Sequence, residues 1–230
     1  MGLSGGTADK AGNRYENWWT ALKVADLLRG KVSRIRLEPG EVIDHFGASG
    51  QTGIIDGTEI RVRRPAAGRK DRDRFISGKS KRNAVKTMVL TDQNGRMLFS
   101  SPATPGSCAD ITHARRLGLV KLLTGGPAVE ILAGVGYQGL GAQAGGRMVT
   151  PSHRTFKKNV PDWYEETRER QRKAHSSRRI RVEHGIAHMK NWRALARHLG
   201  RREHMSDMIQ AVAGPLSHQQ TADLEPRRQR

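Results

Sequence analysis

Apolar positions along this chain fall into two periods. Between Asn13 and Leu28, the residues Tyr15, Trp18, Trp19, Leu22, Ala25 and Leu28 recur at helical spacing, and Gly30 ends the stripe. Val32, Ile35 and Leu37 then alternate as a short strand, with Pro39-Gly40 read as its turn. From Gly53 to Val62 the pattern becomes a nearly continuous β-branched run, Gly-Ile-Ile-Asp-Gly-Thr-Glu-Ile-Arg-Val, with a carboxylate at its middle. Ala84–Leu90 and Met97–Ser100 read as two strands joined through Asn94-Gly95, a strong hairpin signal.

Helical and extended segments alternate after that. Asp110 opens a helix that runs to about Leu123 and stops at Gly125-Gly126-Pro127. Val129–Ala133 is a short strand, closed by Gly134-Val135-Gly136-Tyr137, and Met148-Val149 is a further one. Pro161-Asp162 starts a charged helix to about Lys173. Ser177 caps another from Arg178 to about His198, with Val182, Ile186, Met189 and Ala196 on its buried face and Glu183 beside them. A last helix, Ser206–Ser217, buries Met208, Ile209, Val212 and Leu216, and Pro215 is expected to distort its end. Three antiparallel strands followed by crossovers make an α/β fold, a mixed sheet flanked by helices in ribonuclease-H-like order. The pattern divides the chain into a helix-strand element at 1–42, one domain at 43–220 and a disordered tail at 221–230.

Charge narrows the class of partner. The 230 residues hold 41 Lys and Arg against 22 Asp and Glu, a net charge of +19. Such an excess favours a polyanion, since each neutralised phosphate releases condensed counterions. Ten of these cations lie between Arg61 and Arg82, opposed only by Asp71 and Asp73. Arg61, Arg63, Arg64, Lys79, Lys81 and Arg82 there, and Arg178, Arg179, Arg181, Lys190 and Arg193 further on, are candidate phosphate contacts. Arginine suits this best, because its fork matches phosphate geometry. The alternative reading of either run is a solvated surface. Few aromatics, not arranged as stacking pairs, disfavour an RNA-binding role. No apolar run is long enough for a membrane span, no basic-then-apolar leader opens the chain, and Cys108 is the single cysteine. The expectation is a soluble, intracellular chain.

Asp56 is the chemical focus, because a carboxylate in a buried strand requires a cation or a metal beside it. His184 and His188 have a spacing that can bind zinc, but no third ligand follows, so they read as a polar helix face. Trp192 can stack on a base or anchor its helix, and Tyr137 reads as packing near the site.

Five blocks in order, IIDGTEIRV, SGKSKRNAVKTMVLTDQNGR, PGSCADI, ILAGVGYQGL and RRIRVEHGIAHMKNWR, carry a family resemblance. From about Gly53 to Gln220 the chain resembles the DDE-superfamily transposases of bacterial insertion sequences, in the group similar to Harbinger elements. The resemblance implies metal-dependent cleavage and transfer of double-stranded DNA by a protein that acts as a dimer or higher multimer. It also implies two Mg²⁺ or Mn²⁺ ions held by an Asp-Asp-Glu triad. Such hard ions take carboxylate oxygens and flank an in-line phosphoryl displacement. Asp56 matches the first triad position, bridging both metals, and Glu183 matches the last.

The chain departs from that pattern at the second position, where Gly134 stands in place of the expected aspartate. Glu130 has the right strand parity but lies about 13 Å away along the strand. Asp110 and Asp92 are the other carboxylates that could compensate. Without a replacement, the loss of a ligand forfeits several kcal/mol, on the order of a hundred- to ten-thousand-fold in rate. The expectation is therefore a truncated or degenerate copy with impaired activity, the alternative being a non-catalytic DNA-binding remnant. Residues 1–42 do not resemble the family's helix-turn-helix. They resemble the start of an unrelated bacterial protein, as in a chimeric reading frame.

Overall fold

The computed structural model describes residues 38–68, 70–153, 160–196 and 202–222. The helix and strand expected between 13 and 37, and all but the first two residues of the expected tail, lie outside the described residues.

Pro39-Gly40 does not turn a strand; it begins helix α1 (Pro39–Ser49). Proline at the first helical position lacks only an N–H that would have no intrahelical partner. Glu38 and Glu41 close a capping box, with the Glu38 N–H donating to Glu41 Oε2 at 2.7 Å. Val42, Ile43 and Phe46 share one face of this helix and are fully buried. The boundary expected between residues 42 and 43 falls inside it.

Strand β1 (Gly53–Arg61) is the middle of a mixed sheet, as the order of elements predicts. It pairs antiparallel with β2 (Ala84–Thr91) along its whole length, Ile54 opposite Thr91 through Arg61 opposite Ala84. Strands β3 (Met97–Ser100) and β4 (Thr104–Pro105) both pair antiparallel with β2. On the other side β5 (Ile131–Leu132) runs parallel to β1 and β6 (Met148–Val149) parallel to β5. The spatial order is β3-β2-β1-β5-β6.

Successive strand residues point to opposite faces, and the two faces have separate cores. Ile55, Met88 and Leu90 lie under α1, α2 (Asp110–Arg116), α3 (Leu119–Gly125) and α4 (Leu140–Gln143). Ile54, Ile60, Val85 and Val89 lie under α5 (Asp162–Asn191), α6 (Arg193–Ala196) and α7 (Met205–Ala222).

Helix boundaries are where the pattern and the structure differ. The helix expected from Asp110 to Leu123 is two, because Gly118 takes φ +70° between them. The helices expected to 173 and from 178 are a single element of 30 residues. Serine caps a helix only where the backbone is already turning away, and Ala174-His175-Ser176-Ser177 contains no breaker. Arg168–Glu165 and Arg172–Glu169 pairs three residues apart further support the continuous helix. The helix stops at Trp192, which is extended (φ −60°, ψ 125°) and buries its ring, so Ala196, expected on the stripe, is exposed on α6. Trp192 is thus a core anchor. Helix α7 continues past position 215 to Ala222.

Glycine decides how closely α5 sits on the sheet. In the β2–β3 turn Gly95 has φ +86°, and a Cβ there would lie 2.6 Å from the Arg181 carbonyl oxygen. A Cβ on Gly185 would meet the Gly95 carbonyl at 2.8 Å. With no side chain on either, the helix backbone rests on the hairpin, and the helix position over β1 is fixed from that end.

Candidate active site

Strand β5 covers β1 only at Gly53 and Ile54. From Asp56 onward this edge of β1 is open, and the segment after β5 passes beside it. Helix α5 closes the arrangement. His175 on α5 bonds the Ala133 carbonyl at 2.9 Å, and one turn later Arg179 points at Asp56. The Arg179 Nη2 to Asp56 Oδ2 distance is 3.2 Å, and Asp56 Oδ1 accepts the Gly57 N–H at 2.9 Å. The partner that a buried aspartate requires is therefore a guanidinium of the same chain. Arg179 is thus the counter-ion of Asp56 rather than the phosphate contact that its place in a basic helix suggests. The distinguishing signal was available: Arg179 lies four residues before Glu183, on the same side of the helix.

Gly134 faces the same guanidinium. Its backbone is extended (φ −79°, ψ 178°), a conformation open to any residue. A Cβ there would lie 3.1–3.3 Å from the Arg179 guanidinium, the far end of a flexible side chain. Neither conformation nor backbone crowding demands glycine at this position.

Burial raises the Asp56 carboxyl above the ordinary carboxylate range; Arg179 and the Gly57 N–H oppose it, while Asp110 and Glu183 add to it. Glu183 itself is exposed on α5. Asp110 is wedged between two glycines, 2.6 Å from where a Gly57 Cβ would be and 2.5 Å from that of Gly136. Its Oδ1 pairs with Lys86 Nζ at 3.0 Å, and that ammonium also donates to the Cys108 carbonyl at 2.9 Å. Lys86 was missed in the sequence, though a lone lysine within the otherwise apolar and threonine-bearing strand Ala84–Thr91 was a visible sign. Tyr137 is buried beside this pair, and burial first, then the charges of Asp110 and Asp56, pushes its hydroxyl well above the usual value.

The three carboxylates considered as replacements have other bonds. Asp92 is fully buried in the hairpin, where Oδ1 accepts the Asn94 and Arg96 N–H groups, each at 2.9 Å, and Oδ2 pairs with the Arg96 guanidinium. Glu130 pairs with Arg178. Asp110 stands near Asp56 but is held by Lys86. Among the described residues no three His, Cys, Asp or Glu side chains converge as a metal-ligand group, and His184 and His188 are simply exposed. The side chains present do not fit a two-metal complement: Gly134 contributes no oxygen, and a cation already rests on Asp56.

The remaining phosphate candidates are exposed, namely Arg61, Arg63, Arg64, Lys79, Lys81, Arg82, Arg178, Arg181, Lys190 and Arg193. Four of them, Arg178, Arg181, Lys190 and Arg193, lie on α5 or immediately after it; the other six lie on the end of β1 and in the loop that follows. No helix among the described residues is long and apolar enough to cross a membrane.

A mixed sheet with a carboxylate at the middle of its first strand, crossed by a helix carrying a second, defines a ribonuclease-H-like fold. The family model described as DDE superfamily endonuclease matches residues 55–214, well over half of the chain, and the chain belongs to that family. Membership implies a DNA substrate and a transposase-like nuclease ancestry, in a family generally dependent on divalent metal. Neither the curated proteins nor the solved structures include one that matches.

Proposed function

We propose that this chain is the catalytic domain of an insertion-sequence transposase of the Harbinger-like group, and that its cleavage and strand-transfer activity is impaired at Gly134. One observation carries the reading. The Arg179 guanidinium reaches both Asp56 and the position of Gly134, so the place where a second carboxylate would share this cation holds none. Asp56 and Glu183 are the retained ligands of the ancestral metal site, and the exposed cations of α5 and of residues 61–82 hold the DNA backbone. The protein works on DNA in the bacterial cytoplasm, as a dimer or larger assembly on paired element ends. Burial of Val42, Ile43 and Phe46 in the core supports putting the junction with foreign sequence ahead of Pro39 rather than between residues 42 and 43.

Nicking of element-end DNA by the full chain and by Gly134→Asp, with and without Mg²⁺, tests this. The aspartate variant is expected to nick on the order of a hundred- to ten-thousand-fold faster, the value of one ligand in a two-metal site. Equal and robust rates in both proteins would sink the proposal. A second reading, a DNA-binding remnant with no cleavage, is favoured by the Arg179–Asp56 pair, which gives Asp56 a cation without a metal. It predicts DNA binding by both proteins and cleavage by neither.

A further inference from the structure

Beyond Asp56, β1 carries a second half-buried carboxylate, Glu59, on the stretch that β5 leaves uncovered. Its two oxygens are fully engaged by one loop. The Ser77 hydroxyl donates to Glu59 Oε1 at 2.5 Å and the Ser80 hydroxyl to Oε2 at 2.8 Å. Ser77 is completely buried, and its Oγ also accepts the N–H groups of Lys79 and Ser80 at 3.1 and 3.0 Å. The Ser77 N–H donates to the Arg82 carbonyl at 2.9 Å, and the Lys81 N–H to that of Ser77 at 3.0 Å. Lys81 sits at φ +55°, a conformation that a non-glycine residue adopts only when its surroundings enforce it. A six-residue basic loop, Ser-Gly-Lys-Ser-Lys-Arg, is thus tied to the strand that holds Asp56.

Lys190 faces this loop from α5. Its ammonium lies within electrostatic reach of Glu59, Lys79 and Asp56. Among the described residues neither Lys79 nor Lys190 has an ion-pair partner. Two cations held near each other, one on a tethered loop and one on a rigid helix, with no carboxylate paired to either, suit a shared anion.

We propose that Glu59 is the positioning residue that folds Ser77–Arg82 into a phosphate-binding loop, and that Lys79 and Lys190 together take DNA backbone phosphates beside the Asp56 site. The inference rests on the DNA-binding reading above and assigns the substrate contact nearest the chemistry. Three residues of strand separate Glu59 from Asp56, about 10 Å.

Fluorescence anisotropy of a labelled duplex with the full chain, over a series of salt concentrations, reads this directly. Lys79→Ala and Lys190→Ala are each expected to lower the slope of log K against log salt by about one, while Lys121→Ala, exposed on α3, leaves it unchanged. Glu59→Ala removes a negative charge, which by charge alone would tighten DNA binding; a freed loop instead weakens it. Glu59→Gln removes the same charge but keeps an acceptor for one serine and a donor for the other, and is expected to restore the slope. Circular dichroism confirms that each variant is folded, and Ser80→Ala gives a milder release of the loop. If the wild-type chain binds DNA but neither lysine changes the slope, or Glu59→Ala binds more tightly, the loop assignment is overturned and the DNA reading stands. If the wild-type chain binds no DNA at low salt, both fall.

Discussion

Replacing Arg179 with methionine separates the charge at Asp56 from the packing around it. Methionine keeps most of the aliphatic stem and removes the guanidinium, which is 14% exposed beside a carboxylate 27% exposed. At 3.2 Å the Coulomb term is about 5 kcal/mol with an effective dielectric of 20, and desolvation of both groups offsets much of it. Removing one partner of a largely buried pair costs about 3–5 kcal/mol; partial exposure reduces the expectation here to about 2–4 kcal/mol at pH 8.5. The pH dependence follows from the direction of the Asp56 shift. Its folded-state pKa is already raised by burial, so the ionised carboxylate is a burden above that pKa, relieved as pH falls through it. Losing Arg179 raises the folded pKa further. The variant therefore takes up its proton first as pH falls, and its stability deficit relative to wild type narrows from that point. The deficit levels off only below the wild-type carboxyl's own raised pKa. Urea unfolding of both proteins between pH 4.5 and 8.5 measures it, with the Asp56 carboxyl followed by NMR. A deficit independent of pH, or an Asp56 titration unmoved by the substitution, would refute the assignment of Arg179 as its counter-ion.

Other outcomes are tied to single features. Phe46→Ala, which empties a fully buried site against the sheet, is expected to cost about 3–5 kcal/mol in urea unfolding, so a variant beginning at residue 50 should not fold. Gly95→Ala combines a left-handed backbone with a Cβ 2.6 Å from the Arg181 carbonyl, and about 2–4 kcal/mol should be lost, with hydrogen exchange rising in the middle of α5. Lys86→Met leaves Asp110 without its ammonium in a confined position; a destabilisation of about 2–4 kcal/mol is expected, partly relieved in the double variant with Asp110→Asn.

Much of the architecture is legible in the sequence. The β-branched run around Asp56, the Asn94-Gly95 turn and the strand at 148–149 are local signals, and each forms at its expected place; the strand expected at Val129–Ala133 forms as its central pair, Ile131–Leu132. Helix ends were less legible. Whether Ser177 caps a helix or lies within one depends on what His175 and Arg179 touch on β5 and β1, contacts absent from a window of sequence. Pro39 is ambiguous for a related reason, since the same dipeptide opens a helix or turns a chain. The burial of Val42, Ile43 and Phe46 decides between them here.

The sequence alone determined the period of each element, the basic surface and the glycine at position 134, because these are properties of neighbouring residues or of composition. Only the tertiary structure could decide what each charge meets. Arg179, Lys86 and Glu130 are all ordinary charged residues in the sequence. Packing turns them into the counter-ion of Asp56, the clamp on Asp110 and the partner of Arg178. The reason is that an ion pair depends on distance in space and on exclusion of water, and the fold sets both by bringing α5 and β2 to the middle of β1.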